Sequence, residues 1–198
     1  MSTKSRLTVL SLIFFLSFFK YSTAQTPVVS KTLPATPAIQ TQIDDLKKMM
    51  QDISADIRAK TIKEKVKSTS DNPEVVADAS LYTDNKGVAR AYFVSAGDGD
   101  MVISTNYFYD EAGKLRTVTN HFGHISMGKQ DQTIFLSTQG RVLRVYVEEK
   151  LDMTGEDETF NNDKTSLVKR ESTTPEEMPF GNGAVSFVWN PKQAFAAN

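Results

Sequence analysis

Residues 84–92 read Asp-Asn-Lys-Gly-Val-Ala-Arg-Ala-Tyr, echoed at 110–118 as Asp-Glu-Ala-Gly-Lys-Leu-Arg-Thr-Val and at 138–146 as Thr-Gln-Gly-Arg-Val-Leu-Arg-Val-Tyr. Each stretch joins a polar turn, closing in a glycine that can take positive φ, to a strand-forming run. Gly87, Gly113 and Gly140 recur 26 and 27 residues apart, the third repeat needing a one-residue shift. The spacing is that of successive antiparallel hairpins of like construction. Hairpin chemistry alone can generate such likeness, so it does not establish a duplicated ancestor.

Outward from these turns, strand-sized runs rich in Val, Ile, Tyr, Phe and Thr cover 79–83, 88–95, 101–109, 114–122, 132–137 and 141–150. Asp, Asn and Gly clusters separate them, as in a meander. Thr165–Arg170 reads as a short further strand, and Ala184–Trp189, alternating Val185, Phe187 and Trp189, as a closing one.

Before the meander the period changes. Thr36-Pro37 is a helix start, with Thr at the N-cap and Pro where its missing N–H costs nothing. Ile39, Ile43, Leu46, Met50, Ile53 and Ile57 then recur at alternating spacings of four and three, one continuous helical stripe. Asp44, Asp45, Asp52 and Asp56 precede Arg58, Lys60, Lys63, Lys65 and Lys67, an order that complements the helix dipole. The reading is a helix from Pro37 to about Lys65, ending before Ser68–Pro73. The stripe is shorter than the three to four heptads of a coiled coil and suits packing on a sheet of the same chain. The expected fold is therefore α+β: one long N-terminal amphipathic helix packed on an antiparallel meander of about six to seven strands.

The N-terminus has the three parts of an export signal: Lys4 and Arg6, an apolar run from Leu7 to Phe19, and Ser22-Thr23-Ala24 at the cleavage positions. Cleavage after Ala24 places the product in the periplasm or outside the cell. The apolar run is shorter than the roughly 20 residues of a membrane-spanning helix and stops at Lys20, so no stable span is expected after cleavage. Residues 25–35 read as a flexible lead-in, 36–190 as a single domain and 191–198 as a mobile tail.

Removal of the 24-residue leader leaves 174 residues with 20 Lys and Arg against 24 Asp and Glu, a formal charge of −4. An acidic balance argues against nucleic acid as a partner. The chain has no cysteine, which excludes thiol catalysis and Cys-ligated metals and leaves the hydrophobic core to hold the fold alone.

Chemistry-bearing motifs are few. His121 and His124, the two histidines, fall at a strand end, where three-residue spacing points them to opposite faces. Asp98-Gly99-Asp100 and the acidic stretch around Asp157 lack the alternation of a calcium loop. No nucleophile elbow, phosphate-binding loop or zinc-protease motif occurs. Neither a cofactor nor a metal is expected.

The leading surface candidate is the repeated arginine: Arg90 with Tyr92, Arg116 with Val118, and Arg144 with Tyr146, each pair sharing a face by the strand period of two. A row of arginines beside aromatic rings could bind an anion or a partner, though a solvent face with cross-strand pairs to residues such as Glu148 is the favoured reading. Met101–Tyr109 and Arg141–Lys150 carry apolar residues on both faces, so both faces of the sheet need cover. The C-terminal segment with Trp189, a dimer partner or an apolar ligand could supply the second cover, and intramolecular cover is the simplest. The functional expectation is a non-catalytic binding or interaction module using a sheet face, taking a protein or small ligand of the cell envelope. An enzyme with a pocket between helix and sheet is the alternative.

Overall fold

The computed structural model describes residues 35–68, 76–125, 128–151, 166–177 and 185–197. The export signal, nearly all of the lead-in and the acidic stretch around Asp157 lie outside these residues.

Helix α1 runs over Pro37–Ala59. The side chain of Thr36 accepts a hydrogen bond from the Ile39 backbone N–H at 3.4 Å, as the N-cap reading requires. The helix stops six residues earlier than Lys65. Lys60 takes a left-handed conformation, φ 55°, and its N–H caps the carbonyls of Asp56 and Ile57. The stripe explains the stop. After Ile57 its next places fall to Lys60 and Glu64, so a longer helix would have nothing apolar to bury.

Lys63, Lys65 and Lys67 instead belong to a strand, β1 (Lys63–Ser68). There follow β2 (Val76–Thr83), β3 (Ala89–Asp98), β4 (Met101–Tyr109), β5 (Leu115–His124), β6 (Gly128–Leu136), β7 (Val142–Leu151) and β8 (Ser166–Ser172). All eight form one sheet in sequence order, each antiparallel to the last. The strand count is thus eight rather than six to seven. β1 was hidden in the lysine-rich end of the helical pattern.

Helix α1 crosses one face of this sheet. Ile53 packs with Tyr82, Ala91 and Phe108 of β2–β4, while Ile43 and Leu46 pack with Phe135 of β6, joined by Leu143 and Tyr146 of β7. The opposite face carries a larger apolar cluster, including Tyr92, Tyr107, Tyr109, Val118, Ile134, Leu136 and Val145. Burial of such surface, at about 25 cal/mol per Å², is the main stabilising term for a chain without disulfides.

That second face is covered by the chain's own C-terminal segment. Residues 185–188 form no strand. They lie across the sheet, where the Tyr109 hydroxyl donates to the Val188 carbonyl at 2.7 Å and Val185, Phe187 and Val188 pack on the core. Residues 191–197, expected as a tail, form a short helix, α2 (Pro191–Ala197). Its Phe195 meets Tyr92 edge-on at 6.5 Å. Apolar side chains at Val188, Ala194 and Phe195 explain why this end is held down.

Nearer β8, the Gln132 side chain bonds both backbone groups of Glu176, donating to its carbonyl at 3.0 Å and accepting from its N–H at 3.2 Å. The Arg170 guanidinium meets the carboxylates of Glu149 and Glu176. The C-terminal region is therefore a strap with polar and apolar fastenings.

Candidate functional site

The three hairpin turns are built alike down to the hydrogen bonds. Asp84 Oδ1 accepts from the N–H groups of Lys86 and Val88 at 2.9 and 2.8 Å, and Asp110 Oδ1 from those of Ala112 and Lys114 at 3.0 Å each. Ser137 Oγ does the same for Gln139 and Arg141 at 3.2 and 3.1 Å. The third turn therefore starts at Ser137, a residue the sequence pattern assigns to the preceding strand.

After each turn one residue is left over. Thr83 pairs with Ala89 and Tyr82 with Ala91, so Arg90 is extra; the same arithmetic leaves Arg116 opposite Phe108 and Tyr109, and Leu143 opposite Phe135 and Leu136. These are β-bulges. They reset the side-chain alternation: Ala89 and Tyr92, Leu115 and Val118, and Val142 and Val145 lie three residues apart yet share the strap-side core.

The arginine row is consequently divided. Arg90 and Arg116 occupy equivalent bulges, and each aims its Nε at the carbonyl before the next turn, Tyr109 at 3.5 Å and Leu136 at 3.3 Å. Arg116 also pairs with Asp110 at 3.3 Å. The equivalent bulge in the third hairpin holds Leu143, and Arg144 corresponds instead to Ala91 and Thr117. Arg144 is 3 % exposed and pairs with Glu171 at 3.2 Å. Tyr92 sits under the strap, stacked on Tyr107 at 5.8 Å, whereas Tyr146 lies on the helix side against Phe135. Arg144 and Tyr146 stay together; Arg90 and Arg116 are separated from Tyr92 and Val118 by the bulges.

His121 and His124 do lie on opposite faces by register, His121 opposite Ser104 and Asp131, His124 opposite Met101 and Gly128. His121 Nδ1 is 2.6 Å from Asp131 Oδ1. The row Ser104–His121–Asp131 invites comparison with a catalytic triad. However, His121 Nε2 leans along its own strand, 3.2 Å from where a Cβ on Gly123 would stand. Among the described residues no cluster of three or more His, Cys, Asp or Glu could hold a metal ion. No helix among them is long and apolar enough to cross a membrane.

Among the described residues a groove of about 580 Å³ lies between α1 and the sheet. Lys47, Met50, Gln51, Ser54 and Arg58 line it from the helix, and Thr133, Phe135 and Tyr146 from β6 and β7. Its size lies within the range of about 300–1,000 Å³ usual for small-ligand sites. Lys47 Nζ stands 5.3 Å above the Tyr146 ring and 3.8 Å from Asp44. Arg58 makes no ion pair among the described residues. Burial, helped by the charge of Glu171, raises the Tyr146 hydroxyl above its ordinary pKa.

Of the candidate site residues Arg90, Tyr92, Arg116, Arg144 and Tyr146, only Tyr146 lines the groove. A signal for the others was present: Lys47, Gln51, Ser54 and Arg58 repeat the four-three-four spacing beside the apolar stripe. A polar stripe bordering a core-facing one marks a helix flank that overlooks the sheet.

Compared with protein-family models, with curated proteins and with solved structures, the chain finds no match.

Proposed function

We propose that the chain is an exported, non-catalytic binding protein whose ligand lies in the groove between α1 and the helix-side face of the sheet. The ligand is a small amphiphile with an anionic head, a carboxylate or a phosphate. One observation carries the reading: a groove walled by Met50, Phe135 and Tyr146 has two cationic side chains, Lys47 and Arg58, on its helix flank. Apolar walls with a few placed polar groups are the usual make-up of small-ligand sites, and exposed cations select the sign of the head group.

The test is competition between decanoate and decyltrimethylammonium for wild-type protein, repeated with a Lys47→Glu/Arg58→Glu variant. Decanoate binds the wild type in preference to the cationic amphiphile, and the variant loses about tenfold in decanoate affinity, the effect of roughly 1.4 kcal/mol. Equal binding of both amphiphiles, or an unaffected variant, would remove the proposal.

A further inference from the structure

The two edges of the sheet are finished differently. On β8 the charges are neutralised within the fold: Lys169 pairs with Glu148 at 3.0 Å, Arg170 with Glu149 and Glu176, and Glu171 with Arg144 at 3.2 Å. On β1, Lys63, Lys65 and Lys67 have no ion pair among the described residues. Alternation along the strand puts these three lysines on the strap side, where Lys65 and Lys67 pair in register with Leu81 and Ala79 and Lys67 Nζ lies 5.3 Å over the Phe195 ring. Glu64 and Val66 face the helix side. Glu64 is occupied by the Tyr82 hydroxyl, and Val66 is 60 % exposed.

Among the described residues β1 pairs only with β2 in the sheet, and none bonds the main-chain groups of its outer edge, which can take a further strand. We propose that this edge takes up an extended acidic peptide segment of another protein, in which acidic side chains alternate with apolar ones. The acids fall opposite the lysines, which stand about 6.8 Å apart along the strand, and an apolar residue falls beside Val66.

The same lysines oppose the pairing of two β1 edges from copies of this chain, as edge lysines do in general. Repulsion thus contributes to the choice of partner as much as attraction does. An anionic membrane surface would use the lysines but not the free main-chain edge or Val66, and strand addition uses all three.

The experiment titrates full-length mature protein with the capped peptides Glu-Val-Glu-Val-Glu-Val, Glu-Glu-Glu-Val-Val-Val and Lys-Val-Lys-Val-Lys-Val, with amide exchange read at β1. The alternating acidic peptide binds, slows exchange of β1 amides, and outcompetes the block peptide of equal charge. In a Lys63→Glu/Lys65→Glu/Lys67→Glu variant the preference passes to the lysine peptide. A Gln triple variant, which avoids a new acidic row, loses roughly tenfold in affinity for the acidic peptide. Equal binding of the alternating and block peptides, unchanged exchange at β1, or binding of phosphatidylglycerol vesicles without binding of the alternating peptide overturns the proposal.

Discussion

The indole of Trp189 lies so close over the turn at Gly140 that a Cβ added there would come within 2.9 Å of its ring. The contact joins the last hairpin turn to the C-terminal strap, although Trp189 itself remains 53 % exposed. Gly140 also has φ +77°, a backbone conformation that side chains disfavour.

Gly140→Ala therefore combines backbone strain with displacement of Trp189. Gly87 has nearly the same φ, +76°, but nothing within 4 Å of its missing Cβ. Gly87→Ala is expected to cost about 1–2 kcal/mol from strain alone, and Gly140→Ala more. Urea unfolding of both variants, with Trp189→Ala as the second arm of a double-mutant cycle, isolates the excess. Equal costs would mean that the indole yields freely.

The strap makes a second prediction. Tyr109 is fully buried and its hydroxyl donates to Val188. Tyr109→Phe keeps the ring and leaves that carbonyl without its partner, a loss of about 1–3 kcal/mol. Amide exchange should quicken in 185–197 more than in α1, because the strap loses a fastening while the helix side is untouched. Uniform quickening would contradict a separately fastened strap.

Much of this was legible in the residues. Thr36-Pro37 and the six-residue apolar stripe located α1, and the Gly-closed turns located the meander. Residues apolar on both faces of β4 and β7 foretold the need for a second cover. What misled was arithmetic that a single extra residue overturns. A bulge has no compositional mark, so Arg90 and Arg116 looked like partners of Tyr92 and Val118 until the register showed the slip. Equally, five cations after Asp56 fit a helix C-terminus and an edge strand alike, and only the absence of further apolar stripe residues separates the two. A pocket between helix and sheet was expected only under the enzyme alternative, and most of its lining residues were not singled out because they lie on elements distant in sequence.

Alkaline pH supplies a third prediction. Burial, followed by its hydrogen bond to Glu64, pushes the Tyr82 hydroxyl up to about 12, from an ordinary value of 10.0. Burial raises Tyr109 further in the same direction. A raised folded pKa means that the unfolded chain gives up the proton first. The stabilisation is complete below about pH 10 and is lost as pH rises through the folded value. Stability measured by denaturant should fall between about pH 10 and 12, and Tyr82→Phe should flatten that fall. A flat profile in the wild type would contradict the assignment.

The export reading is checked by mass. Expressed with its own leader in a bacterium, the protein recovered from outside the cytoplasmic membrane should begin at Gln25. An intact Met1 in a membrane-bound product would replace cleavage with anchoring.

The central claim, that the groove beside α1 is the ligand site, is tested most directly by following backbone and methyl NMR signals during titration with decanoate. The account predicts saturable shifts centred on Lys47, Met50, Gln51, Ser54, Arg58 and Tyr146, with Tyr92 and the strap unmoved. Saturable shifts centred on the strap face, or none at all, would contradict it.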